Sequence, residues 1–130
     1  MSSGEPALCS AAASGDLARC AELLRDDLNV NASDVFKRTP LINAVVSGHA
    51  KVVEILAAAR ADLPCADRSG WTALHWAAFQ GNGDMVQLCL SLGADPKIKD
   101  LRGSTPRQVV EHVLEGKSEA KFGEGLQGDR

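Results

Sequence analysis

The sequence predicts an all-α solenoid of about four helix-turn-helix units joined by hairpin-like loops, because three kinds of mark recur at one period. Thr39, Thr72 and Thr105 stand 33 residues apart, each followed by a residue suited to a first helical turn: Pro40, Ala73 or Pro106. Gly15, Gly48 and Gly81 keep the same step within SGD, SGH and QGN. Asp34, Asp67 and Asp100 keep it within ASD, CAD and IKD. One fixed period shared by three residue types is the signature of an array in which each unit buries its apolar face against the next.

The elements follow in chain order. Residues 1–6 are expected to be flexible. Residues 7–34 form an atypical N-terminal unit, in which Arg19 and Glu22 stand where the inner units have Val52 and Ile55, or Met85 and Leu88; this fits a wetter outer face. In the repeat 35–67, the Thr39 hydroxyl can accept a first-turn N–H and Pro40 lacks the donor that would be orphaned there. The stretch PLINAVVSG then runs to a glycine able to take the left-handed conformation that ends a helix. HAKVVEILAAA places Val52, Val53 and Leu56 on one helical face, with Lys51 and Glu54 outward. The repeat 68–100 does the same with ALHWAAFQG and NGDMVQLCLSLG, burying Met85, Val86 and Cys89 and exposing Asp84 and Gln87. RADLPCADRSG and GADPKIKDLRG are rich in Asp, Pro and Gly and predict loops that turn back before the next threonine. Residues 101–116 give a partial C-terminal unit, and 117–130, with four glycines in the last fifteen residues, a flexible tail.

Three residues break the pattern. Lys37 falls where Gly70 and Gly103 permit a positive φ, at an expected cost of about 1 kcal/mol. Arg60 and Asp27 similarly replace the glycine that closes the second helix at Gly93.

Composition narrows the function classes. A chain of 130 residues with 45% hydrophobic and 24% charged residues is ordinary for a globular protein, and no apolar run is long enough to cross a bilayer. The net charge of −3 supplies no basic field for a phosphate backbone, which disfavours nucleic acid as a partner. MSSGEPALCSAAASGD lacks a basic region followed by an apolar core, so a cytoplasmic or nuclear address is expected. Cys9, Cys20, Cys65 and Cys89 form no C-x-x-C pair and read as small core residues. His49, His75 and His112 share no i, i+4 spacing with a carboxylate or cysteine, so no metal site or Cys-His nucleophile is drawn. Gly81-Asn82-Gly83 joins two helices without a preceding strand and is a turn, not a phosphate cradle. No cofactor, metal or catalytic residue is predicted.

The stretch Thr72-Ala73-Leu74-His75-Trp76-Ala77-Ala78, with Gly81 and then Leu92-Gly93-Ala94-Asp95, resembles the repeat of the ankyrin family over residues 7 to about 115. The resemblance implies a non-enzymatic, monomeric module that binds another protein through a concave groove and loop tips, as adaptor, inhibitor or chaperone. Separate stretches are similar to ankyrin-type cyclin-dependent kinase inhibitors and to ankyrin regulators of proteasome assembly, while the small size is similar to that of an ankyrin regulator of actin capping. The resemblance also implies that His75 holds a helix start, and it marks Asn31 in NVNAS as a candidate for asparagine hydroxylation. Trp76 is expected to fill the core, whereas an exposed Trp71 and Phe79, with Arg68, Ser69 and Gln80, have the composition of a binding hot spot. In-phase positions extend that surface to Val35, Phe36, Lys37, Arg38, Val46 and Ser47 on one side and to Leu101, Arg102 and Ser104 on the other.

Overall fold

The computed structural model describes residues 7–26 and 29–111. Six helices follow in order: α1 (Ala7–Ser14), α2 (Leu17–Leu24), α3 (Pro40–Ser47), α4 (Ala50–Ala58), α5 (Ala73–Phe79) and α6 (Gly83–Ser91). Residues 106–111 are again helical. Each consecutive pair, α1 with α2, α3 with α4 and α5 with α6, packs together as one unit. The first helices stack into an inner row, α1 on α3 and α3 on α5, and α2 lies against α4 in the outer row.

The period explains this stacking. Ala11, Ala44 and Ala77 are buried at the same place in successive units, small enough to let the inner helices approach. Leu8, Leu41 and Leu74 form a second column, at most 3% exposed. Each contributes on the order of 1.5–3 kcal/mol by leaving water. Cys20 and Val53 form a third column, and Leu23, Leu56 and Cys89 a fourth, from the outer helices. Arg19 and Glu22 instead pair with each other at 3.1 Å on the exposed face of α2.

The helix ends match their sequence signals. Thr39 Oγ1 accepts the N–H of Ile42, and Pro40 occupies the first turn. Gly48 ends α3 with φ 79°. Thr105 Oγ1 accepts the N–H of Gln108, whose own Oε1 accepts the N–H of Thr105. Lys37 and Arg60 do take the left-handed conformation, with φ of 62° and 70°. In both cases the chain keeps the conformation of the in-phase glycines, at the cost of a Cβ crowded against the following carbonyl oxygen.

Cys9, Cys20 and Cys89 are buried, but Cys65 is only half-buried on the loop after α4, which corrects its reading as a core residue. That loop has no helical face to bury, so an apolar residue on it stays at the rim. The closure at Asp27, the partial unit beyond 111, His112, the tail 117–130 and the N-terminal residues 1–6 lie outside the described residues.

Candidate protein-binding surface

Three in-phase aspartates build the loops on which the predicted surface lies. In the first, the N–H of Asp34 donates to the carbonyl of Arg38 and the N–H of Lys37 to the carbonyl of Asp34, closing a tight turn. Asp67 with Trp71 and Gly70, and Asp100 with Ser104 and Gly103, repeat the pattern. One carboxylate oxygen then accepts two backbone N–H groups across each turn, from Phe36 and Arg38, from Ser69 and Trp71, and from Arg102 and Ser104. The aspartates are therefore scaffold, turned inward beneath the tips.

The second carboxylate oxygen takes a side-chain donor, and here the units differ. Asn43 Nδ2 donates to Asp34 Oδ2 at 3.3 Å. Trp76, one period later, donates its indole Nε1–H to Asp67 Oδ2 at 2.9 Å. Asp100 finds Val109 at the corresponding place, which has no donor, and Trp71, at the start of the same repeat as Asp100, supplies the bond from its Nε1 at 2.8 Å. Burial by itself would raise the Asp100 pKa, but the N–H of Ser104, the Trp71 indole and the N–H of Arg102 outweigh it and hold the carboxyl below its ordinary value.

His75 is fully buried and fastens two units. Its Nδ1 accepts the N–H of Thr72 at 3.2 Å while Thr72 Oγ1 accepts the N–H of His75, a reciprocal cap of the α5 start. Because Nδ1 is an acceptor, the ring proton sits on Nε2 and is donated to the carbonyl of Ser104 at 2.9 Å. This is the helix-holding task expected of it.

Several predicted contact residues prove to be struts between units. Arg68 Nε and Nη2 donate to the carbonyl of Val35 at 3.1 and 2.9 Å. Gln80 Nε2 donates to the carbonyl of Val46 at 2.8 Å, and the N–H of Leu101 to the carbonyl of Ser69 at 3.1 Å. Gly70 makes that last approach possible, since a Cβ there would lie 2.6 Å from the Leu101 nitrogen. Asn31 Oδ1 accepts the N–H of Asp62 at 2.8 Å, another bond between units.

Three sequence expectations need correction. Trp71 is half-buried rather than freely exposed, because its ring packs on Trp76 and Phe79 at 4.8 and 5.1 Å between centroids while its N–H is spent on Asp100. Trp76 is half-buried rather than a full core residue: its N–H must reach Asp67, which brings the ring to the rim, where the Arg38 guanidinium lies 5.0 Å over it. Ser104 is 6% exposed, held from both sides by Asp100 and His75, and offers little to a partner.

What remains open is an apolar edge with two hollows. Val35, Phe36, Phe79 and Leu101 are 53, 60, 46 and 78% exposed. Lys37, Ser47, Arg68, Ser69, Gln80 and Arg102 are exposed around them, and Val46 and Arg38 are half-buried. One hollow, about 260 Å³, is lined by Ser69, Trp71, Phe79, Arg102 and Val109, with Asp100 and Ser104 at its wall. Its neighbour, about 230 Å³, lies between Phe36, Arg38, Arg68 and Trp76. Ser69 belongs to both, so they adjoin. Trp76, Asp67, Asp100 and Val109 were not read as part of this surface. The period held the missing signal, since it aligns Asn43, Trp76 and Val109 as donor, donor and none above the three aspartates.

Among the described residues, no group of three His, Cys, Asp or Glu side chains is placed to hold a metal ion, and no helix is long and apolar enough to cross a membrane.

Known proteins are similar to this chain in sequence. A family model described as ankyrin repeats, in three copies, matches residues 4–100. The chain is 38% identical to inversin of Gallus gallus over 102 residues, 78% of this chain and 9% of that protein. It is 40% identical to the human Notch-regulated ankyrin repeat-containing protein over 60 residues, 46% of this chain and 53% of that one. Over 71 residues it is 35% identical to human protein phosphatase 1 regulatory subunit 27, 55% of this chain and 46% of that one. The chain thus spans at most about half the length of these relatives. With its in-phase caps, stacked inner helices and aspartate-tied loops, the chain belongs to the ankyrin-repeat family and is built as a protein–protein interaction module.

Proposed function

We propose that this chain binds its partner along the three loop tips and the adjoining end of α5, without chemistry of its own, and acts by occupancy as an adaptor, inhibitor or chaperone. One observation carries the reading: four large apolar side chains, Val35, Phe36, Phe79 and Leu101, stand exposed along the edge where the loops are tied together and two hollows adjoin. Exposed apolar groups gathered on one rigid edge and rimmed by arginines have the makeup of an interface centre. The name of one relative, protein phosphatase 1 regulatory subunit 27, gives a regulatory role to that protein and supports an inhibitor or adaptor role here. We further propose that the module acts as a monomer in the cytoplasm or nucleus.

The test is to recover a partner from a lysate with the intact chain, then measure its binding to variants by calorimetry. Phe79→Ala and Phe36→Ala should each weaken binding by about 2 kcal/mol, the level of an interface hot spot. Lys51→Ala and Gln87→Ala, on the outer helices, should leave it within about 0.5 kcal/mol. Equal losses on both faces would overturn the assignment.

A further inference from the structure

We infer that the docking face takes an extended acidic peptide segment carrying a large apolar anchor residue. The inference rests on the protein-binding reading above and adds the partner's chemistry. The tip sequences VFKR, RSGW and LRGS hold four cations, Lys37, Arg38, Arg68 and Arg102, and no carboxylate, although the chain as a whole carries −3. The positive charge is therefore local to this edge.

The three aspartates beneath the tips offset part of this charge, but their oxygens are turned inward onto donors of the fold, whereas the cations stand on the outer side. Asp34, Asp67 and Asp100 are engaged by backbone N–H groups and by Asn43, Trp76 and Trp71, and none pairs with a tip cation within 4 Å. The ion pairs among the described residues lie elsewhere: Arg19 with Glu22, Lys51 with Glu54 and Arg107 with Glu111. Arg38 lies over the Phe36 and Trp76 rings and Arg68 caps the Val35 carbonyl, so each retains its full charge. Neither the Lys37 ammonium nor the Arg102 guanidinium has a side-chain hydrogen bond, ion pair or ring contact among the described residues.

Arg102 borders the hollow walled by Trp71, Phe79 and Val109, where the one carboxylate, Asp100, has its oxygens taken by the Trp71 indole and the N–H groups of Arg102 and Ser104. An apolar wall beside a guanidinium lowers the local dielectric and strengthens its pairing with a carboxylate, for which the planar fork is shaped. One anchor side chain in the hollow and a flanking carboxylate on Arg102 would use both features together. A second carboxylate reaches Arg68 or Lys37 at the next tips along the tied row. A basic segment would be repelled by all four cations, which makes the same edge selective. Phosphate chains share the anionic charge but offer no aliphatic group to cover Val35 and Leu101, so a peptide is favoured.

The probe is a library of random twelve-residue peptides displayed on phage and selected on the full chain, with a short single-stranded oligonucleotide measured alongside. Enriched peptides should pair Asp or Glu with a nearby aromatic or leucine. As synthetic peptides they should bind about tenfold more weakly to Arg102→Gln, a charged hydrogen bond lost at an exposed rim. Phe79→Ala should weaken them as well, with circular dichroism confirming both folds. Enriched peptides that are neutral or basic, yet still weakened by Phe79→Ala, would overturn the acidic preference and leave the protein-binding reading standing. Failure of any peptide to enrich, or enriched peptides indifferent to both variants, would overturn the acidic-peptide assignment, while the protein-binding reading stands or falls on the recovered partner and its variants. Tighter binding of the oligonucleotide than of every peptide would overturn the peptide assignment.

Discussion

Replacing Trp71 with phenylalanine retains an aromatic ring beside Trp76 and Phe79 but deletes the indole N–H that Asp100 Oδ2 accepts at 2.8 Å. Asp100 is 8% exposed and keeps its two backbone donors, Arg102 and Ser104, on the other oxygen. The lost bond is charge-assisted but lies at the rim of a hollow, so its cost at neutral pH is about 1.5 kcal/mol, the lower end for a hydrogen bond to a charged group. The smaller ring adds a packing loss that does not depend on pH. The two parts separate on titration. Because the fold holds the Asp100 pKa below its ordinary 3.8, the stabilisation is present above that pH and is lost as the pH falls through the folded-state value. In the variant that depression is smaller, so the difference between the two proteins should shrink as Asp100 protonates. Urea denaturation of both at pH 7, 4 and 2.5 measures it. Once Asp100 is protonated on the acid side, the hydrogen-bond part should fall to about half or less, as expected when a charged acceptor becomes neutral. A stability difference that stays constant as the pH is lowered through the protonation of Asp100, followed by NMR of its carboxyl, would show that Trp71 acts through packing alone.

Gly70→Ala should cost at least about 2 kcal/mol, since the residue has φ 79° and its new Cβ would meet the Leu101 nitrogen at 2.6 Å. Lys37→Gly, at the in-phase tip where φ is 62°, should instead stabilise by about 0.5–1 kcal/mol; a loss measured by urea denaturation would contradict the strain argument. Thr105→Val should remove the bond to the Gln108 N–H and cost about 1 kcal/mol, seen as faster amide hydrogen exchange in 106–111. Burial pushes the Cys89 thiol up to about 11, so at pH 8 Cys89 should resist alkylation in the native state while the half-buried Cys65 reacts first; mass spectrometry of peptides after brief labelling decides it.

The repeat architecture was readable in the chain because its causes are local or periodic. A threonine cap, a glycine with positive φ and a leucine column each act through residues a fixed step away, so the 33-residue spacing of Thr39, Thr72 and Thr105 carries the geometry with it. The exposed tips at Val35, Phe36 and Leu101 follow for the same reason: a tight turn tied to its own aspartate has no interior in which to place the side chains at its apex. The fate of the tryptophans depended on tertiary structure. Trp71 and Trp76 are both amphipathic and five residues apart, and no local rule says which aspartate each indole will reach. Val109, in the unit that follows, offers Asp100 no donor, and the bond is left to Trp71 at the far end of the same repeat. The inter-repeat bonds of Ser104 and Gln80 were hidden on the same ground, since their partners, His75 and the Val46 carbonyl, belong to another repeat. Periodicity specifies what every unit does alike, whereas a polar group at the seam takes whichever donor or acceptor the neighbouring unit happens to present, and only the stacked structure brings the two within reach.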